Sequence, residues 1–288
     1  MAARQSIKRL PVSPAPLVFE SRVPAAPCDQ YVELLTCFEN FCPDHAVERL
    51  LPDGAVTIII DLDNTPKHTY DNLTLAPKQR YRIAWISGMQ REFISISAGQ
   101  QSSMMVIRLR PGAGHALLGL PIDQLLDQVV DADSVLGIEI ARLRQRLLDA
   151  ETMDARFALI EAWLGHRIDK GGPLLPVVEF AIARIRDNPS LLSLDAVAAR
   201  TGYSHKHLIH LFRKHVGLTP KAYQRITRFN RVLAEIDRQQ QVNWISLAQD
   251  CGYFDHAHFI REFRRFSGFN PRQFQQVRGD YINYIPVG

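Results

Sequence analysis

The chain has 288 residues, 46% of them hydrophobic, 22% charged and 9% aromatic, a balance that suits about two globular domains and excludes a disordered or fibrous chain. No apolar run approaches the ~20 residues of a membrane helix, four cysteines are too few for a disulfide scaffold, and the basic N-terminus MAARQSIKRLPVSPAP lacks the apolar stretch of a signal peptide, so a cytoplasmic protein is expected. The formal charge of +4 hides an asymmetry: residues 1–172 carry 18 basic against 21 acidic residues, while residues 173–288 carry 16 against 9 and six of the ten histidines. A basic part beside a mildly acidic one suggests that only the former meets a polyanion.

Taken in chain order, the first half reads as β. Val56–Leu62, Tyr81–Ser87, Glu92–Ser97 and Met104–Arg110 are short, rich in Ile and Val and partly alternating. Pro52-Asp53-Gly54, Asp63-Asn64-Thr65-Pro66 and Pro111-Gly112 punctuate them as turns. After Pro121 the period changes, and Leu125, Leu126, Val129, Leu143, Leu147 and Leu148 predict helix over 122–149, followed by a second helix over about 154–168. Lys170-Gly171-Gly172-Pro173 breaks the pattern and sets the expected boundary between domains 1–172 and 173–288.

The second domain reads as helical and repeats itself. Val197–Tyr223 lies over Leu247–Phe274 with one inserted residue after Tyr253, matching Gly202 to Gly252, His205 to His256, Phe212 to Phe263, Gly217 to Gly268 and Pro220 to Pro271. In each copy a capped short helix (Ser193 or Asn243) ends at a glycine. Ser204 or Asp255 then caps a second helix, which ends at Gly217 or Gly268, and Thr219-Pro220 or Asn270-Pro271 starts the next. Two helices joined by a short glycine turn form a helix-turn-helix. A long helix over about 220–238, with Tyr223, Ile226, Leu233 and Ile236 inward, joins the copies. Nineteen residues at 1.5 Å each span about 28 Å, near the ~34 Å that separates successive major grooves on one face of B-DNA.

The second helix of each unit shows Lys206, Ile209, His210 and Arg213, or Ala257, Ile260, Arg261 and Arg264, on its outward face. These are donors and small apolar groups with no acid among them, as a major groove requires: Arg bridges guanine O6 and N7, and an Ile methyl meets a thymine methyl. His205 and His256 near the helix starts, and Lys214 and Arg265 near the ends, suit phosphates. A solvated basic face would explain one such helix; a matched pair argues for the groove.

The segment GYFDHAHFIREFRRFSGFNP at 252–271, with the preceding repeat over roughly 175–276, resembles the AraC/XylS family of transcription regulators. The resemblance implies sequence-specific binding of double-stranded DNA at a promoter, with recruitment of RNA polymerase. By motif position it places Lys206, Ile209, His210, Arg213, His256, Ala257, Ile260 and Arg261 in the grooves. His210 stands where many relatives carry Arg or Gln, and Ala257 is too short for a polar base contact, which leaves Arg261 as the strongest candidate reader. Glu48–Ile60 (ERLLPDGAVTIII) and Ile107–Pro121 (IRLRPGAGHALLGLP) are similar to a β-barrel-like, cupin-like domain often fused to this module. The implied fold class is therefore α+β: an N-terminal barrel-like domain with trailing helices, then an all-α double helix-turn-helix. The implied effector is an unidentified small molecule, and the helices over 122–168 would make a dimer or interdomain contact.

The remaining constellations point elsewhere less strongly. Cys28, Cys37, Cys42 and His45 are spaced C-x8-C-x4-C-x2-H, a poor fit to the tight ligand pairs of zinc sites. Core cysteines are expected there, with thiol sensing open only if a thiolate is exposed near a base. Asp61 and Asp63 are expected to solvate a turn, and His68 and His115 are isolated. Arg108 and Arg110 share one strand side: facing a barrel interior they could hold an anionic effector, facing water they are ordinary surface. No convergent acid/base or metal set appears, so neither a cofactor nor an enzyme is expected. The competing readings are an N-terminal metal- or thiol-dependent enzyme or redox domain fused to the DNA-binding module, and an architectural binder without sequence preference.

Overall fold

In a computed structural model, residues 16–98, 101–187, 189, 194–238, 242–279 and 281–287 are described. The N-terminal half forms two antiparallel sheets. Strands β1 (Val18–Arg22), β2 (Val32–Phe41), β3 (Val47–Leu50), β4 (Thr57–Asp61), β5 (Lys67–Tyr70), β6 (Pro77–Tyr81), β7 (Ala84–Ser87), β8 (Ile94–Ser97) and β9 (Ser102–Leu109) come first. Helix α1 (Gly114–Leu118), strand β10 (Val129–Asp131) and helices α2 (Asp133–Leu136), α3 (Ile138–Asp149) and α4 (Met153–Lys170) follow. The six-stranded sheet has the order β1-β2-β9-β4-β7-β10.

The C-terminal half is helical: α5 (Pro176–Asp187), α6 (Leu194–Thr201), α7 (His205–Val216), α8 (Pro220–Arg238), α9 (Trp244–Asp250), α10 (His256–Ser267) and α11 (Pro271–Val277). The chain then closes with strand β11 (Tyr284–Val287), which pairs with β3 at the edge of the five-stranded sheet β11-β3-β8-β5-β6. The fold is thus α+β, a barrel-like sheet domain followed by a double helix-turn-helix, but its last strand crosses back over the expected boundary at 172–173.

Residues 122–149 depart from the predicted helix. A 3-10 turn (Ile122–Leu125), β10 and α2 precede α3. Asp127 and Gly137 adopt positive φ (56° and 64°), which ends any right-handed helix there. The β-branched Val129 and Val130 pair with Ser87 and Ile86 instead of continuing a helical face.

The two faces of the six-stranded sheet differ. Leu35, Cys37, Ile58, Ile60, Ile86, Met105 and Ile107 share one face and are all 0% exposed. They belong to one core cluster with Ile140, Leu143 and Leu147 of α3 and Phe157, Ile160 and Leu164 of α4. The alternate residues Phe38, Ile59, Met104 and Val106 are only partly buried and stand outside that cluster. In the other sheet Leu50, Ile94 and Ile96 are likewise partly buried and outside the cluster. The six-stranded sheet therefore turns its best-buried face to helices.

Asp61 is the opposite of a solvated turn residue. It is fully buried, with Lys67 Nζ at 3.7 Å and Arg144 Nη2 of α3 at 3.5 Å. Burial and the neighbouring Asp63 carboxylate push it up to about 6. Asp63 does shape the turn, accepting from the backbone N–H of Thr65 (2.5 Å) and Ser103 (2.6 Å). Arg108 and Arg110 are also structural: Arg108 pairs with Glu33 (3.1 Å) and Asp53, and Arg110 donates to Asp29 O (2.6 Å).

Candidate nucleic-acid interface

The two helix-turn-helix units form for the local reasons legible in the sequence. Ser204 accepts from His207 N–H (3.3 Å) and Asp255 from His258 N–H (2.6 Å), so α7 and α10 begin at side-chain caps. Asn243 caps α9, and Asn270 and Gln273 make a reciprocal capping box for α11. Ser193 and the side chain of Leu194 lie outside the described residues. Gly217 and Gly268 end α7 and α10 with φ of 91° and 76°, the left-handed region that favours glycine. Between the units α8 spans Pro220 to Arg238, buries Tyr223, Ile226, Phe229, Leu233 and Ile236, and has the 19-residue length expected of the spacer.

On α7, His205, Lys206, His210 and Arg213 are exposed, whereas Ile209 and Lys214 are half-buried. On α10, His256, Ala257, Arg261, Arg264 and Arg265 are exposed and Ile260 is half-buried. Each helix thus brings its candidate residues to one outward face, with Leu208, Phe212 and Val216, or Phe259, Phe263 and Phe266, buried behind it. Arg261 and Arg264 have no ion pair among the described residues, and neither has Lys206.

Three candidates are less free. His205 Nε2 lies 3.0 Å from Asp195 of α6. Arg213 Nε lies 3.6 Å from Asp123, and Arg265 Nε lies 3.0 Å from Glu92, both acids belonging to the N-terminal domain. His215 of α7 meets His115 of α1 edge-on at 4.7 Å. Burial, helped by His115 and Lys214, pushes His215 down to about 4, so it is neutral at pH 7.

Sequence reasoning missed the group that sets the pitch of α10. Glu262, with 1% of its side chain exposed, accepts from Arg225 Nε (2.5 Å) and Arg228 Nη2 (2.9 Å) of α8. Arg228 also donates to Gly252 O (3.3 Å) and lies 4.3 Å over the Tyr253 ring. The signal was present: Glu262 occupies the position of Leu211 in the first repeat, on the inward side of the helix. The inserted residue, Phe254, is 95% exposed beside the α10 cap.

The cysteines do not make a ligand set. Cys28, Cys37 and Cys251 are buried and Cys42 is exposed. Burial pushes the thiols of Cys28 and Cys37 up, and that of Cys251 up to about 11, the reverse of what a sensing thiolate needs. Folded protein treated with a chromogenic disulfide reagent at pH 7.5 should therefore release about one equivalent rapidly, and Cys42→Ser should remove it. Rapid reaction of two or more thiols would contradict this burial.

Residues 197–276 match the family described as "Helix-turn-helix domain", and residues 20–131 match "Domain of unknown function (DUF6597)". The HTH-type transcriptional activator RhaS of Escherichia fergusonii is 34% identical over 141 residues, 48% of this chain and 43% of RhaS. The chain thus spans less than half the length of the curated relatives it matches. Among solved structures, ToxT of Vibrio cholerae O395 superposes with a TM-score of 0.46 at 9% identity, covering 90% of this chain and 97% of ToxT. A probable AraC family transcriptional regulator of Rhodopseudomonas palustris superposes with a TM-score of 0.33 at 22% identity, covering 35% of this chain and 96% of its own. The match at residues 197–276 thus coincides with the paired, capped helices and their long spacer, and makes this part of the chain a helix-turn-helix domain.

Proposed function

We propose that this chain is a sequence-specific, double-stranded-DNA-binding transcription regulator of the cytoplasm, not an enzyme, controlled by a small molecule bound in its N-terminal domain. The carrying observation is the matched pair of outward faces on α7 and α10, basic and free of acids of their own, mounted at either end of α8. On this reading Lys206, Ile209, His210 and Arg213 enter one major groove and His256, Ala257, Ile260 and Arg261 the next. Lys214, Arg264 and Arg265, with His205, serve phosphates. RNA polymerase is the downstream partner and a homodimer the working assembly.

The effector reading rests on apolar side chains of the two sheets that the core cluster does not engage: Phe38, Ile59, Met104, Val106, Leu50 and Ile96 are half-buried and stand outside it, and ligand sites are lined mostly by apolar side chains with a few fixed polar groups. Glu48, paired with Ile96 across β3 and β8, supplies a polar group beside them: it is buried, its only ion-pair partner among the described residues is His45 (3.1 Å), and burial holds its carboxyl above the usual range.

Selection of random duplexes by the full chain tests the reading. Two enriched blocks about one helical turn apart are expected, with log affinity falling linearly in log salt by about 0.9 per phosphate contact. Recovery of no enriched sequence would favour an architectural binder and overturn the proposal.

A further inference from the structure

The C-terminal ends of α7 and α10 rest on one strap of the N-terminal domain. Residues 88–93 follow β7 and are tied to the turn after residue 122: Arg91 donates to the Asp127 carboxylate from N–H (2.8 Å) and Nε (2.6 Å), and Asp127 N–H donates to Met89 O (2.8 Å). Gly217, at the end of α7, sits so close that an added Cβ would lie 2.8 Å from Ile122 and 3.1 Å from Met89. Gly268, at the end of α10, is equally close to Phe93 (2.9 Å) and Arg49 (2.4 Å). From this one strap and turn, two carboxylates reach the DNA-facing arginines, Glu92 to Arg265 and Asp123 to Arg213.

We propose that Glu92 and Asp123 are intramolecular stand-ins for DNA, Glu92 for a phosphate at Arg265 and Asp123 for the acceptors that Arg213 meets at the groove, and that they lower DNA affinity in the resting chain. This rests on the DNA-binding reading above. A carboxylate offers a guanidinium a negative charge and acceptor oxygens, as a phosphate does, and a carboxylate already beside the guanidinium neutralises it and repels an incoming phosphate, so the two uses compete. Both arginines are about half exposed, 52% and 45% of the side chain, and reachable from solvent. Apolar contacts hold the strap in place, because exposed ion pairs contribute little stability; the acids tune the interface rather than build it. The strap also continues directly from β7, whose Trp85 pairs with Ile59 of β4.

The experiment is a titration of fluorescent duplex, carrying the site selected by the wild-type chain, with full-length Glu92→Gln, Asp123→Asn and the double variant across a salt series. Each single change is expected to raise affinity about fivefold, and Glu92→Gln to steepen the salt slope by about one phosphate contact. Glu151→Gln removes the same charge from an exposed position away from the strap and is expected to change neither. In an Arg265→Ala background Glu92→Gln should gain nothing, and Asp123→Asn should gain nothing in Arg213→Ala. Unchanged or reduced affinity in the carboxylate variants, or a gain that persists without the arginine, overturns phosphate mimicry and leaves the DNA-binding reading standing. A wild-type chain that selects no DNA removes both.

Discussion

Replacing Arg261 by alanine is expected to cost about 1–3 kcal/mol on the preferred site and to relax the base preference at one position, while binding to unrelated duplex changes little. Arg261 sits in the second turn of α10, the part of a recognition helix that reaches base edges. It is exposed, and no carboxylate among the described residues occupies its guanidinium. The backbone beneath it is held by the Asp255 cap and by Phe259 and Phe263 in the core, so the side chain works from a rigid base. Lysine cannot restore the contact, because a point ammonium does not make the planar two-pronged bond to guanine. Arg264→Ala should behave differently, weakening all duplexes evenly and reducing the salt slope by about one. A repeat of the selection with each variant reads the difference; an Arg261→Ala chain that recovers the wild-type sequence with equal selectivity refutes the assignment.

Replacing Glu262 by alanine should destabilise the helical domain by about 3 kcal/mol, lowering its melting temperature by on the order of 10 °C. The carboxylate is nearly inaccessible and balances Arg225 and Arg228 on α8, of which Arg228 is itself well buried. Taking away one partner of such a group leaves uncompensated charge in a poorly solvated place, which costs more than the intact pair contributes. Burial alone would raise the Glu262 carboxyl, but the two guanidiniums hold it below the ordinary value of 4.5. Its stabilisation is therefore present above that value and is lost as the pH falls through the lower folded-state value. Glu262→Gln keeps the shape without the charge. It should melt lower than the wild type at pH 7 and lose less stability on acidification. Equal melting of the two at pH 7 would show that the network carries no net stabilisation.

The helix-turn-helix units were legible because their signals are local. Capping side chains, glycines at positive φ and a proline at a helix start each act within four residues, and the repeat showed every signal twice. The sheet domain was harder to read. β2 (VELLTCFENF) lacks a clean polar alternation because its acids, Glu33 and Glu39, sit among apolar residues and are paired with Arg108 and Arg156 rather than left to mark a solvent face. The leucine spacing after Pro121 imitated a helix, while Asp127 and Gly137, which break it, look unremarkable until their φ is known. Glu262 went unnoticed because attention fell on the outward face, although an acid in place of Leu211 on the inward face was visible in the repeat.

The residues alone determine that there are two helix-turn-helix units, how far apart the 19-residue α8 can hold them, and which side chains each offers outward. Those properties follow from periodicity and capping, which need only neighbours along the chain. Tertiary structure decided the rest: that β11 joins a sheet begun at Val47, that the six-stranded sheet turns its best-packed face to helices, and that Glu92 and Asp123 meet arginines far along the chain. Such pairings depend on where distant segments come to lie, and burying the shared core between the two halves settles that, not any pattern within a single element.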